Sequence, residues 1–233
     1  MDQWLDVAII KNNLTYFLIG AYPHGSLGGL ALTLYLAVVS CVLSFFGGLI
    51  LGLMSISRNR GIKYVAVAIM NTIRGMPLLM VIFWMYFLLP SLLGHPVPEA
   101  RTVIIALSFF TSAYMGQIVR AGIEGVPKSQ MEAALSTGLQ PWQAMCYVVI
   151  PQGLVNMIPS FVNQFVSLTK DTSLAYIIGV SELTQVATQV NNRSMMYPTE
   201  IFLFIAMIYF VICYAFTYAS RKLEHRLSWT RPS

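Results

Sequence analysis

The chain has 233 residues, 57% hydrophobic and only 10% charged, with a mean hydropathy of +0.68 and a formal net charge of +5. A soluble domain carries about 25% charged residues, so this composition excludes an ordinary water-soluble globule and points to the bilayer as solvent. In a soluble protein the positive balance would suggest nucleic acid, but here the charges flank apolar runs, so they set membrane orientation and no nucleic-acid partner is expected.

Residues 1–24 mix Trp4, Leu5, Ile9 and Tyr16 with polar residues and are expected at the membrane interface. They carry Asp2 and Asp6 instead of a basic region and show no cleavage site, so they are not read as a signal peptide. The transmembrane domain is placed at 25–222 and a cytoplasmic tail at 223–233. No Asp, Glu, Lys or Arg occurs in 12–57, 75–98, 102–119, 133–169 or 201–220. A spanning helix needs about 20 mostly apolar residues, so an all-α membrane fold of about five spans is predicted.

The spans are predicted at 28–54, 64–92, 102–120, 153–178 and 199–220. The second contains Arg74, Gly75 and Pro77; proline removes a backbone donor and clashes with the preceding turn, so a kink is expected there. Asn191, Asn192, Arg193 and Pro198 mark 180–198 as a loop. Gly25/Gly29, Gly48/Gly52 and Ser40/Ser44 have the spacing that allows close helix packing, within a bundle or at a dimer interface. The sequence shows no internal repeat, which argues for one domain and against an inverted-repeat carrier.

Orientation follows from Lys and Arg. With the N-terminus outside, the inner segments hold Arg58, Arg60, Lys63, Arg120, Lys128, Arg221, Lys222, Arg226 and Arg231, and the outer ones only Lys11, Arg101 and Arg193. The positive-inside rule then puts the C-terminus in the cytoplasm. Cys41, Cys146 and Cys213 stand far apart in apolar surroundings and read as small buried hydrophobes, with no metal spacing and no disulfide framework. His24, His95 and His225 are scattered and assemble no catalytic or metal site.

The inner loop 121–151 is the informative segment. Met131, Ala134 and Leu135 share a helical face, Gly138 follows as a left-handed C-cap, and Pro141 suits a first helical turn. Trp142, Met145, Cys146 and Val149 share a second face, and Pro151 marks the start of the fourth span. An apolar helix–turn–helix in the cytoplasm fits either docking into a partner's groove or resting on the bilayer surface. Glu132-Ala133-Ala134, three residues, Gly138, nine residues and Val148-Val149-Ile150-Pro151 resemble the EAA loop of binding-protein-dependent ABC importer permeases. Val148 and Ile150 replace the family's Ile and Leu. Arg74-Gly75-Met76-Pro77-Leu78-Leu79, Ala113-Tyr114, Arg120-Ala121-Gly122-Ile123, Pro151-Gln152 and Lys170-Asp171-Thr172-Ser173-Leu174 resemble the polar amino-acid permeases of that superfamily. The resemblance covers about 28–220. In two places the chain departs from the pattern: Gln117 stands where an acidic residue is common, and Ser129 where glycine is usual.

The resemblance implies a type-I importer permease (MetI-like) fold in a bacterial cytoplasmic membrane. It implies that Glu132, Ala133, Ala134, Gly138 and Pro151 form a coupling helix seated on a cytoplasmic ATPase. The chain has no phosphate-binding G-x-x-x-x-G-K-[ST] loop, so ATP and Mg are expected on a separate ATPase chain, and no cofactor on this one. It also implies an external solute-binding protein and a second permease subunit, the same or homologous.

Charges inside the membrane usually face a cavity or a partner. Lys170 and Asp171, with Thr172 and Ser173, are candidate substrate-pathway residues, Lys170 for a carboxylate and Asp171 for an ammonium. The alternative is structural pairing, or snorkelling of Lys170. Arg74 is a further candidate, or simply the cation of a kinked helix, and Gln117 could serve the pathway or bond a neighbouring helix. Lys170 and the missing acid at Gln117 tilt the reading toward glutamate or aspartate. The alternative function is a stand-alone secondary carrier or channel for small polar solutes.

Overall fold

The computed structural model describes residues 8–228, with side chains described to Lys222. Among these the chain is mostly helical, and four helices are long and apolar enough to cross a membrane, or five if α3 and α4 below count as one broken span. The expected interfacial placement of Trp4 and Leu5 and the tail at 223–233 fall outside the described side chains.

The elements in chain order are α1 (Ala8–Ile19), α2 (Gly29–Ser55), α3 (Arg60–Arg74), α4 (Leu78–Leu93) and α5 (Glu99–Glu124). They continue with α6 (Lys128–Ser136), α7 (Pro141–Ala144), a π turn (Met145–Val149) and α8 (Ile150–Asp171). A 3-10 turn (Thr172–Ile178), α9 (Leu183–Ser194) and α10 (Pro198–Ser228) complete the fold. The helix ends are written in the sequence. Asn59 caps α3 by accepting from the Gly61 and Ile62 N–H groups. Gly94, Gly138 and Gly179 close helices at φ 72°, 87° and 86°, a conformation that costs L-residues about 1–2 kcal/mol.

Three findings correct the predicted elements. The second span is not a kinked helix but two helices. The Gly75 N–H turns back to Asn71 and Thr72, and Pro77 follows in an extended conformation without an N–H to continue the ladder. The predicted loop at 180–198 is mostly α9, because Leu183, Val186, Ala187 and Val190 bury one helical face and Glu182 caps it. The helix that carries the fourth span begins well before Pro151. Pro151 cannot donate to the carbonyl of Tyr147, and the wider π turn just before it, closed by the Ile150 N–H on the Met145 carbonyl, carries α7 directly into α8.

The chain forms two compact units. The first comprises the chain up to Cys41, Pro77–Leu107 and Val166–Phe216. Its core is Phe17, Leu183, Val186, Ala187, Val190, Ile201 and Ile205. The predicted interfacial segment thus puts α1 into this core, with Phe17 fully buried and the Arg193 guanidinium 5.3 Å from the Tyr16 ring centroid. At the start of α9, Thr33 accepts from the Leu183 N–H at 3.1 Å while Glu182 accepts from the Thr184 and Gln185 N–H groups and from the Tyr209 hydroxyl.

The second unit comprises Val42–Met76, Ser108–Phe165 and the chain from Thr217. Val119, Ile123, Val126, Val149 and Met157 form its core, with Met131 and Met145 packed against it. Gly48 and Gly52 let α2 lie directly on α5, because a Cβ on either would collide with Met115 or Val119. The close packing expected of that pair is present inside this unit. Gly25, by contrast, lies in a turn outside α2. Cys146 is exposed on the π turn, and Cys41 and Cys213 are half-buried; the expectation of buried cysteines fails for Cys146 because its face of the turn points away from the core.

Candidate functional site

Two features of the second unit stand out. One is an open cavity of about 320 Å³ lined by α3, α5 and α8. Arg74, the last residue of α3, reaches into it. α5 contributes Tyr114, Gln117, Ile118, Ala121 and Gly122, which recur at i, i+3, i+4, i+7 and i+8 and so form one helical face. α8 contributes Asn156, Met157, Ser160 and Gln164. The volume is at the lower end for small-molecule sites. α5 and α8 approach closely here, since a Cβ on Gly122 would collide with Met157 and meet the Gly153 carbonyl oxygen at 3.1 Å.

The chemistry of the lining is simple. Its charged member is Arg74, and no carboxylate lines it. Arg74 makes no ion pair among the described residues; its guanidinium carbon lies 5.2 Å from the Tyr114 ring centroid. A cation–π contact is worth about 0.5–2 kcal/mol, but it does not neutralise the charge. Arg74 is thus an exposed cation without an ion pair among the described residues, beside hydroxyl, amide and apolar groups. Such an arrangement can attract one anion and hydrogen-bond neutral polar groups beside it.

The second feature is the segment from α6 to the π turn. Glu132 and Ala133 are exposed on α6, whereas Ala134 faces inward at 6% exposure. Gly138 N–H donates to the Leu135 carbonyl at 3.0 Å, and Gln140 and Gln143 form a reciprocal cap at the start of α7. Gln152 donates to Gln130 at 3.3 Å, tying the start of α8 to α6. Of the two predicted apolar faces, Ala134, Met145 and Val149 turn inward, whereas Leu135 and Trp142 stay 41% and 58% exposed.

The structure thus brings Arg74 and Gln117 together on one cavity and gathers Glu132, Ala133, Ala134 and Gly138 in one compact turn, with Pro151 at the start of α8. Lys170, Asp171, Thr172 and Ser173 belong to the other unit and do not line the cavity. Lys170 is exposed at the end of α8, and the buried Thr172 hydroxyl donates to the Thr169 carbonyl at 2.7 Å. Tyr114, Asn156, Ser160 and Gln164 are the lining residues not anticipated as site residues. For the three on α8 the signal was the recurrence of Asn, Ser and Gln every four residues along an uncharged stretch.

Apolar helices of spanning length, a cavity of mixed polar and apolar lining and a compact exposed helix–turn–helix fit a multi-pass membrane transport protein. Residues 44–229 match the family described as binding-protein-dependent transport system inner membrane component, and the chain belongs to that family. It is 40% identical over 214 residues (89% of this chain and 98% of the relative) to the probable glutamine ABC transporter permease protein GlnP of Bacillus subtilis (strain 168). It is 33% identical over 193 residues (80% of this chain and 86% of the relative) to the glutamate/aspartate import permease protein GltK of Escherichia coli O157:H7. Among solved structures, an amino acid ABC transporter with histidines superposes with a TM-score of 0.85 at 32% identity, covering 95% of this chain and 99% of that one. The protein is therefore an inner-membrane permease subunit with the type-I importer fold, a transport subunit and not an enzyme.

Proposed function

We propose that this subunit of an amino-acid ABC importer holds its substrate in the cavity of α3, α5 and α8, and that the substrate is a neutral polar amino acid of the glutamine type. The observation that carries the reading is the single uncompensated cation, Arg74, on a cavity otherwise lined by amide, hydroxyl and apolar groups. Arg74 takes the α-carboxylate. The ammonium and the side chain bond to neutral acceptors among Tyr114, Gln117, Asn156, Ser160 and Gln164. A cationic side chain would meet no carboxylate there, and a second carboxylate would meet no second cation. The 40% identical relative is named as a probable glutamine permease. Glutamate or aspartate remains the second reading, favoured by the 33% identical relative named for their import.

The N-terminus is outside and the C-terminus inside in this reading, by the distribution of Lys and Arg. A cytoplasmic ATPase, with ATP and Mg bound to it, seats on Glu132, Ala133, Ala134 and Gly138. A solute-binding protein delivers the amino acid from outside, and a second permease, identical or homologous, completes the pathway. Closure of the ATPase dimer displaces α6 and α7. Because α7 runs through the π turn into α8, that displacement reaches Asn156, Ser160 and Gln164 along one helix.

The test is uptake by proteoliposomes holding the complete importer. Labelled glutamine is expected to accumulate with ATP, arginine not to compete, and R74Q to abolish uptake while leaving insertion intact. Preferential glutamate uptake would replace the glutamine reading with the acidic one. ATP-independent uptake by the chain alone would replace the importer with a stand-alone carrier.

A further inference from the structure

An arginine at the edge of a cavity recognises a carboxylate well only when its planar fork is held in one orientation, because a freely rotating side chain loses that freedom on binding. Arg74 ends α3, just before the break at Gly75. Its own helix stops there, so its orientation must come from a neighbour. The Arg74 guanidinium carbon lies 5.2 Å from the Tyr114 ring centroid. Tyr114 is held in turn by Phe110, one turn earlier on α5, with ring centroids 5.2 Å apart and planes inclined at 44°. Phe110 is only 8% exposed, so the stack is anchored in packed protein at one end and opens on the cavity at the other.

We propose that Tyr114 is a positioning residue for carboxylate recognition: its ring face, anchored by Phe110, fixes the plane of the Arg74 guanidinium so that the fork meets the carboxylate of the transported amino acid. This rests on the assignment of Arg74 as the carboxylate-binding group. The ring does the positioning, and the hydroxyl is secondary. Phenylalanine at this position therefore preserves it, and an aliphatic residue of similar bulk does not.

The experiment is equilibrium binding of labelled L-glutamine to the purified permease–ATPase complex without its binding protein. The competitor is L-glutaminol, which has an alcohol in place of the carboxylate. Wild type is expected to prefer glutamine. Y114F is expected to keep that preference and most of the affinity. Y114L is expected to bind glutamine about 2- to 30-fold more weakly, the range of a lost cation–π contact, and to bind glutaminol nearly as before. A Y114L that loses both ligands equally marks Tyr114 as mere cavity wall and overturns the proposal. So does a Y114F that falls as far as Y114L, or a Y114L that still discriminates. If R74Q retains wild-type binding and discrimination, or wild type binds no glutamine, the underlying site assignment fails instead.

Discussion

Glu182 makes the stability of the first unit depend on pH, and the sign follows from its surroundings. The residue is fully buried and caps α9, accepting from the Thr184 and Gln185 N–H groups at 2.9 Å and from the Tyr209 hydroxyl at 3.1 Å. These donors favour the anion. Burial favours the neutral acid and outweighs them, so the carboxyl is pushed up from 4.5 to about 7. The folded protein therefore holds this proton more tightly than the unfolded chain. The destabilisation is absent below about pH 4.5, grows between 4.5 and 7, and is complete above 7. At 1.36 kcal/mol per pKa unit the full effect is about 3 kcal/mol. E182Q abolishes the titration but leaves one donor facing an amide N–H₂, which costs about 1–3 kcal/mol at every pH. Thermal unfolding of purified wild type and E182Q at pH 5 and pH 8 separates the two effects. E182Q is expected to be the less stable protein at pH 5, and wild type to lose more stability on going to pH 8. Equal losses in the two proteins would refute the reasoning.

Other substitutions probe the remaining parts. G138V places a β-branched residue at φ 87°, at a cost of about 1–2 kcal/mol or more; it is expected to insert normally but to recover less ATPase on co-purification. E132K, on the exposed face of α6, is expected to lower ATPase association and transport without altering thermal stability; wild-type uptake in this variant and in G138V counts against the coupling role. G122V drives a side chain into Met157, and overpacking of this kind costs about 1–3 kcal/mol; thermal stability and glutamine binding should fall together. T33V leaves the buried Leu183 N–H without the acceptor now at 3.1 Å, and a loss of about 1–3 kcal/mol is expected, read as a lower unfolding midpoint with the ATPase still bound.

The spans were legible because lipid imposes a simple rule, a long run without charge; α2 and α5 follow it within a few residues at both ends, whereas α8 gives way to a 3-10 turn before the predicted end and α10 runs beyond it. α9 escaped because Asn191, Asn192 and Arg193 look like loop residues, although Leu183, Val186, Ala187 and Val190 beside them carry a helical period. Packing against Phe17 holds these residues in a helix despite the loop-like composition of its end. The continuity of α7 with α8 was hidden by Pro151, since proline ordinarily ends or kinks a helix, and only the backbone shows that a π turn absorbs the missing donor.

The site divides along a different line. Arg74 was visible because charge is scarce in a membrane chain, and the same reasoning selected Lys170 and Asp171, which the cavity does not include. Charge identifies residues that need a partner or an aqueous path, but not which path they share. Amides and hydroxyls are cheaper to bury than charges, so they are common in membrane helices and singly say little. Their information lies in register. Asn156, Ser160 and Gln164 advance by four residues, about 40° per step on an α-helix, and so keep to one side of α8. On α5, Tyr114 and Gln117 lie with Ala121 and Gly122 on the face that meets them. Two such faces with a glycine contact between them, Gly122 against Gly153, set a polar lining beside a close backbone approach. A search for amide and hydroxyl residues in helical register, next to small residues that let the helices meet, would have selected this cavity before any search for charge.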